Sequence, residues 1–213
     1  MANPVFKFEG DIRTNVKGNQ VLCDFYKFCS QYRSCTITLD WSRLFFMDAN
    51  LSALLMAIIH KAKQDFRLKF FLDYEILKGP MSIFWRNGLA NCIYNNGRKP
   101  EDDRLSTIKL KAFKKNSADG FADYIQTDLL KHRGVEAVSF QDREKVKNSY
   151  FEIFNNYEIH SGNEMPVLAC GQFFPKEKEL KFTLVDMGVG FLNNISKFTL
   201  GKENISTPSE AMV

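Results

Sequence analysis

From Cys35 to Tyr74 the chain reads "CTITLDW", then "RLFFMDANLSALLMAIIHKAKQDF", then "LKFFLDY". No other feature narrows the possible folds as much. The first segment alternates β-branched and polar residues, the pattern of a strand with two unlike faces. In the second, Leu51, Leu54, Leu55, Ile58 and Ile59 recur at helical spacing. Asp48 or Asn50 is placed to cap that helix, and Lys61 and Lys63 lie near its carbonyl end, where positive charge is favoured. The third is a short buried strand. Gly79 and Pro80 then open a second helix through Met81, Ile83, Phe84, Trp85 and Leu89, with proline early, where its missing N–H costs little. A strand–helix–strand–helix succession implies a parallel α/β layer.

"NNGRKPEDDR" (95–104) is polar and carries glycine and proline, so a linker is expected there. It separates a first domain, residues 1–95, from a second, residues 104–213. The second begins with a strand, "LSTIKLKAF", whose alternation leaves one solvated face. A helix, "SADGFADYIQTDLLKHRGV", is expected to close at Gly134. A long amphipathic helix, "QDREKVKNSYFEIFNNYEIHS", is expected to end near Gly162. The strands "PVLACGQFFP" and "ELKFTLVDMG", joined by "KEKE", read as a hairpin. The remainder is loop-like, with a helix beginning at Ser209 and Glu210.

Two polar signals stand out in this second half. Glu152 and Asn156 are four residues apart, so they project from one helical face, while Phe151, Phe154 and Ile159 lie elsewhere on the circumference. About thirty residues on, the last strand runs into Asp186-Met187-Gly188-Val189-Gly190. A carboxylate at a strand end can accept a hydrogen bond from a ligand amino group, and the glycines let backbone pass close beneath that ligand. An asparagine amide oxygen suits a hard cation such as Mg²⁺, which is bound through phosphates rather than caged by protein alone. Together the two signals suggest ATP with magnesium. Read singly, the helix pair is a solvated stripe and the glycine motif a turn.

"FEIFNNYEIHS", followed by a hairpin and "LVDMGVGF", resembles the first half of the nucleotide-binding domain of the GHKL ATPase superfamily, which includes histidine kinases, DNA gyrase and MutL. The resemblance implies a partial Bergerat-type α/β sandwich. It implies that Glu152 orients or deprotonates water where ATP is hydrolysed, that Asn156 ligates Mg²⁺ and that Asp186 bonds the adenine amino group. Gly188 and Gly190 would pass beneath the nucleotide. His160 is expected to cap or pack. Tyr157 departs from the small residue usual after the motif asparagine and is expected to crowd the pocket. The lid, the second glycine-rich phosphate loop and the further strands of the family would lie beyond Val213 or come from elsewhere.

"LFFMDANLSALLMAII" resembles the corresponding stretch of STAS domains, found in anti-anti-sigma factors and sulfate transporters. Asn50 stands where regulatory members carry a phosphorylated serine, so the resemblance implies a silent switch. Ser52 is expected on the helix surface. The fold expected is therefore α/β: a STAS-like layer followed by the first half of a GHKL sandwich.

The function expected is that of an ATP- and Mg²⁺-binding bacterial signalling or regulatory protein, a GHKL-type ATPase or protein kinase if active, with a protein partner. The alternative is a non-catalytic STAS-like interaction module carrying an incomplete nucleotide site. His60 and His132 are expected on helix surfaces or in packing rather than as phospho-acceptors. A formal charge of +4, dispersed along the chain, and the lack of an aromatic-interleaved basic patch argue against a nucleic-acid groove. Five cysteines without a C-x-x-C pair indicate neither a zinc site nor a disulfide framework, but small buried residues in a reducing cytoplasm. The N-terminus has no signal-peptide pattern, and no apolar run reaches the roughly 18 residues of a membrane span.

Overall fold

Side-chain alternation in the first half resolves into a parallel sheet. The computed structural model describes residues 3–73, 75–78, 80–94 and 101–188. Strands β1 (Val5–Ile12), β2 (Thr36–Met47) and β3 (Lys69–Leu72) pair in that order, each pair parallel. Helices α1 (Val16–Cys29) and α2 (Ser52–Phe66) make the two crossovers. The βαβ logic of residues 35–74 is thus realised, with one strand and one helix added before it. That first pair has its own local signals: in β1 Phe8 and Ile12 are fully buried while Val5, Lys7, Glu9 and Asp11 are exposed. In α1 the Asn15 side chain caps the Gly18 amide at 2.9 Å, and Leu22, Phe25 and Cys29 form the buried stripe.

Several local expectations are corrected. Neither Asp48 nor Asn50 caps α2; both side chains are fully buried and bond elsewhere, while a 3-10 turn (Ala49–Leu51) leads into the helix. Ser52 is buried rather than on the surface, accepting from Asn87 Nδ2 at 2.9 Å. The helix expected from Pro80 is broken into a 3-10 turn (Pro80–Ser82), α3 (Ile83–Arg86) and α4 (Leu89–Tyr94). Gly88 takes φ 90°, and Asn87 Oδ1 accepts from the Leu89 amide at 3.0 Å, which restarts the helix at a new angle. Of the cysteines, Cys29 and Cys170 are buried, whereas Cys23 and Cys92 are exposed.

The second sheet is antiparallel, ordered β4 (Thr107–Phe113), β5 (Val167–Phe174), β6 (Glu179–Val185), with β5 and β6 forming the expected hairpin. Helix α5 (Ala118–Tyr124) continues as a π-turn through Leu129 and does not close at Gly134. Gly134 instead lets the Phe173 ring approach: a Cβ there would meet the ring at 2.6 Å. Helix α6 (Phe140–His160) begins at a Ser139 cap, whose Oγ accepts from Asp142 N at 3.1 Å, and ends before Gly162 at φ 66°. The helix expected at Ser209 and Glu210 lies outside the described residues. The overall class is mixed α/β with two small sheets.

Both faces of the second sheet are covered. Val167 and Ala169 of β5 pack with Phe113, Phe121, Phe154 and Tyr157 beneath α5 and α6. Leu168 and Cys170, on the opposite face, join Ala49, Leu55 and Phe84 in the core of the parallel layer. A register shift between Ile108 and Lys111 lets β4 serve both sides, with Ile108 and Phe113 in one core and Leu110 in the other. The expected linker falls partly on residues 95–100, outside the described ones. In its described part Asp102, 7% exposed, pairs with Arg86 of α3 at 2.9 Å and accepts from Thr107 Oγ1 and the amides of Ser106 and Thr107.

Burial alone would raise the Asp102 pKa, but the hydrogen bonds from Thr107, Arg86 and the two amides outweigh it, so the carboxyl sits below its ordinary 3.8. A depressed folded-state pKa contributes stability that is present above 3.8 and lost as pH falls through the lower folded value. Acid titration followed by circular dichroism should therefore show stability falling below about pH 4. In Asp102→Asn that acid-sensitive component should vanish, leaving a protein already weaker at neutral pH. An unchanged acid limb in the variant would refute the assignment.

Candidate functional site

The end of β6 meets the end of α6. Gly188 lies so close to the helix terminus that a Cβ on it would meet Ser161 Cα and O, each at 2.8 Å. The contact is backbone against backbone, which only glycine permits. From the loop after α6, Asn163 Nδ2 donates to Met187 O at 2.6 Å, and its Oδ1 accepts from Met165 N at 2.9 Å. Asn163, which sequence reasoning did not single out, therefore ties the helix end to the strand end. Its only advance signal is its place just after Gly162, where an Asx turn is common.

Asp186 stands at this junction with one side open to solvent. Its Oδ1 accepts from the Gly188 amide at 2.8 Å. Partial burial pushes its pKa above the ordinary 3.8, against the pull of that amide and of Lys115. Tyr157, the residue after Asn156, is fully buried in the aromatic core, with its ring 5.6 Å from that of Phe154. Its phenol pKa is raised by burial and by the carboxylates of Asp186, Glu164 and Glu158. The hydroxyl is buried without a hydrogen-bond partner among the described residues.

Glu152 and Asn156 lie on the open face of α6, both exposed, as the four-residue spacing predicts. The expected site residues thus divide. Gly188 adjoins Ser161, the residue that caps α6, and the Asp186 carboxylate acts on the Tyr157 phenol, whereas Glu152 and Asn156 lie further back along the helix on its exposed face. Gly190 lies outside the described residues. His160 is exposed at the helix end. His60 is half-buried on α2 and its pKa is lowered by burial and by Lys63. His132 accepts from the Gly134 amide through Nδ1 at 3.0 Å, a structural cap.

Among the described residues no group of three or more His, Cys, Asp or Glu side chains is placed to hold a metal. Asn156 presents an exposed neutral amide oxygen, a donor of the kind hard cations accept. The open carboxylate of Asp186 is of the right kind to accept from an exocyclic amino group. No helix among the described residues is long and apolar enough to cross a membrane. No family model, curated protein or solved structure matches the chain.

Gly188→Ala tests the junction. The added methyl cannot be accommodated by backbone at 2.8 Å, so the Asp186–Gly188 turn must move away from Ser161. Overpacking of this kind costs about 1–3 kcal/mol, to be read from denaturant midpoints. Amide exchange should quicken at 160–165 and 186–188 together; a variant as stable and as protected as the wild type would contradict the contact.

Proposed function

We propose that the chain is an ATP- and Mg²⁺-binding regulatory protein of the GHKL type, its second half contributing the adenine-recognising part of the site and its first half a STAS-like layer. The observation that carries this reading is the junction itself: a strand-end aspartate and a glycine turn held against Ser161 and Asn163, the cap and following loop of the helix that bears Glu152 and Asn156. In this reading Asp186 accepts from the adenine amino group, Gly188 keeps the backbone low beneath the base, and Asn156 offers its amide oxygen to the magnesium on the phosphates. Glu152, exposed and one turn away from Asn156, is the group available to orient water. Catalysis, where it occurs, rests on positioning and charge rather than on a covalent intermediate of the protein.

One observation favours a second reading, a non-catalytic interaction module. Tyr157 carries a large ring at the position where a purine site needs room, and that ring is already packed in the core.

Calorimetric titration with ATP and MgCl₂ separates the two readings. Binding should weaken by about 1.5–3 kcal/mol in Asp186→Asn, which loses a charge-assisted hydrogen bond. Asn156→Ala should retain nucleotide binding while losing its magnesium dependence. Glu152→Ala should bind normally and release no phosphate. Absence of any heat with wild-type chain would select the interaction module.

A further inference from the structure

The turn Asp48-Ala49-Asn50 of the parallel layer reaches across to the antiparallel sheet and grips it at four points. Lys181 Nζ of β6 lies 3.0 Å from Asp48 Oδ2. Asn50 Nδ2 donates to Thr183 Oγ1, also of β6, at 2.7 Å. On β5, Gln172 Oε1 accepts from the Ala49 amide, and Cys170 Sγ approaches Ala49 O at 3.3 Å. The turn is anchored from behind by Thr14, whose amide and hydroxyl both donate to Asp48 Oδ2 at 2.8 Å. Arg13 adds a more distant charge, 3.7 Å from Asp48 Oδ1.

These groups sit where apolar side chains would serve packing alone. Asp48 and Asn50 are fully buried, and Lys181 is only 24% exposed. Buried ion pairs of this kind contribute little net stability compared with well-packed apolar groups, but they demand one geometry. That geometry bears on one strand above all. β6 pairs only with β5, so among the described residues no strand supports its other edge. Lys181 and Thr183 alternate on the face toward the turn, Val185 and Met187 pack against the same core, and Asp186 lies between the last two.

We propose that the Asp48–Asn50 turn is a built-in clamp on β6, through which the N-terminal layer sets ligand affinity at Asp186. Lys181 and Thr183 are positioning residues: they touch no ligand, and they act by holding the strand whose end carries the carboxylate. A partner that pulled the turn away, or a modification that changed its charge, would loosen β6 and with it the Asp186–Gly188 turn. The affinity arm of this inference rests on the nucleotide reading above, whereas the clamp itself does not.

The test uses the full chain with two readouts. In Lys181→Met and Thr183→Val, hydrogen exchange should quicken at residues 182–188 but not in α5 or the body of α6. MgATP affinity should fall about fivefold or more, the lower range of coupling between sites. Lys181→Arg, which keeps the charge, should leave both near the wild-type values. Lys111→Met, on β4 and paired with Asp128, should change neither. Unchanged exchange at 182–188 in both clamp variants overturns the clamp whatever the nucleotide does. Faster exchange with unchanged MgATP affinity overturns the coupling and leaves the nucleotide reading standing. Faster exchange in a wild-type chain background that binds no MgATP overturns the nucleotide reading and, with it, the affinity arm.

Discussion

The antiparallel sheet has two apolar faces and helices of its own for only one of them. Residues 167 and 169 of β5 look toward α5 and α6, while 168 and 170 look the other way, into the core built by β2, α2 and α3. Leaving Leu110, Leu168 and Cys170 in water would expose a contiguous apolar surface, so the second half of the chain needs the first to finish its core. This requirement fixes much else. It explains why β5 reads as an almost unbroken apolar run, why β4 is bulged, and why α2 carries buried residues over most of its circumference.

Against that apolar background the buried polar residues acquire a definite task. Asp48 and Asn50 stand at the one place where the chain leaves β2 and enters α2, and they meet Lys181 and Thr183 from a strand more than a hundred residues later. Asn87 performs a related service nearby, reaching Ala49 O at 3.2 Å and Ser52 Oγ at 2.9 Å while starting α4. Each of these groups would be costly if left unsatisfied, so the interface tolerates few alternative dockings.

Where periodicity reports burial directly, the sequence was a sound guide. The alternation of "CTITLDW", the helical stripe from Leu51 and the hairpin of 167–185 all became the elements their patterns imply, although β2 runs on to Met47, beyond the alternating stretch. The pairing of Glu152 with Asn156 on an open face of α6 followed from the four-residue spacing alone. What the pattern concealed was partnership across distance. A polar residue before an apolar helix is read as a cap because that is its commonest local use, and nothing nearby reveals that Asp48 is answered by Lys181. Lys181 and Thr183 likewise sit in a strand whose local pattern indicates a hairpin and nothing of a distant partner. Tyr157 could be recognised as out of character, but not that its ring would be fully buried beside the Asp186 end of the sheet.

The two faces of β6 specify its register in complementary ways. Leu180, Phe182 and Leu184 lie against the aromatic core on one side, and Lys181 and Thr183 meet the polar turn on the other. A slip of one residue would exchange every side chain between faces. It would drive a lysine into the neighbourhood of Tyr124 and Tyr150, whose rings now lie 6.1 and 4.9 Å from that of Phe182, and would set a leucine or phenylalanine against the buried carboxylate of Asp48. Both consequences are expensive, the second because it strips a buried charge of its partner. Hydrophobic burial alone would favour the correct face but would tolerate sliding by two residues, which preserves the alternation. The ion pair and the Asn50–Thr183 bond exclude that slip as well, since a two-residue shift would replace Lys181 by Glu179 or Thr183 opposite Asp48. The strand end is thereby fixed in its place along the helix, which is what a single carboxylate at that end requires if it is to meet a ligand in one defined position.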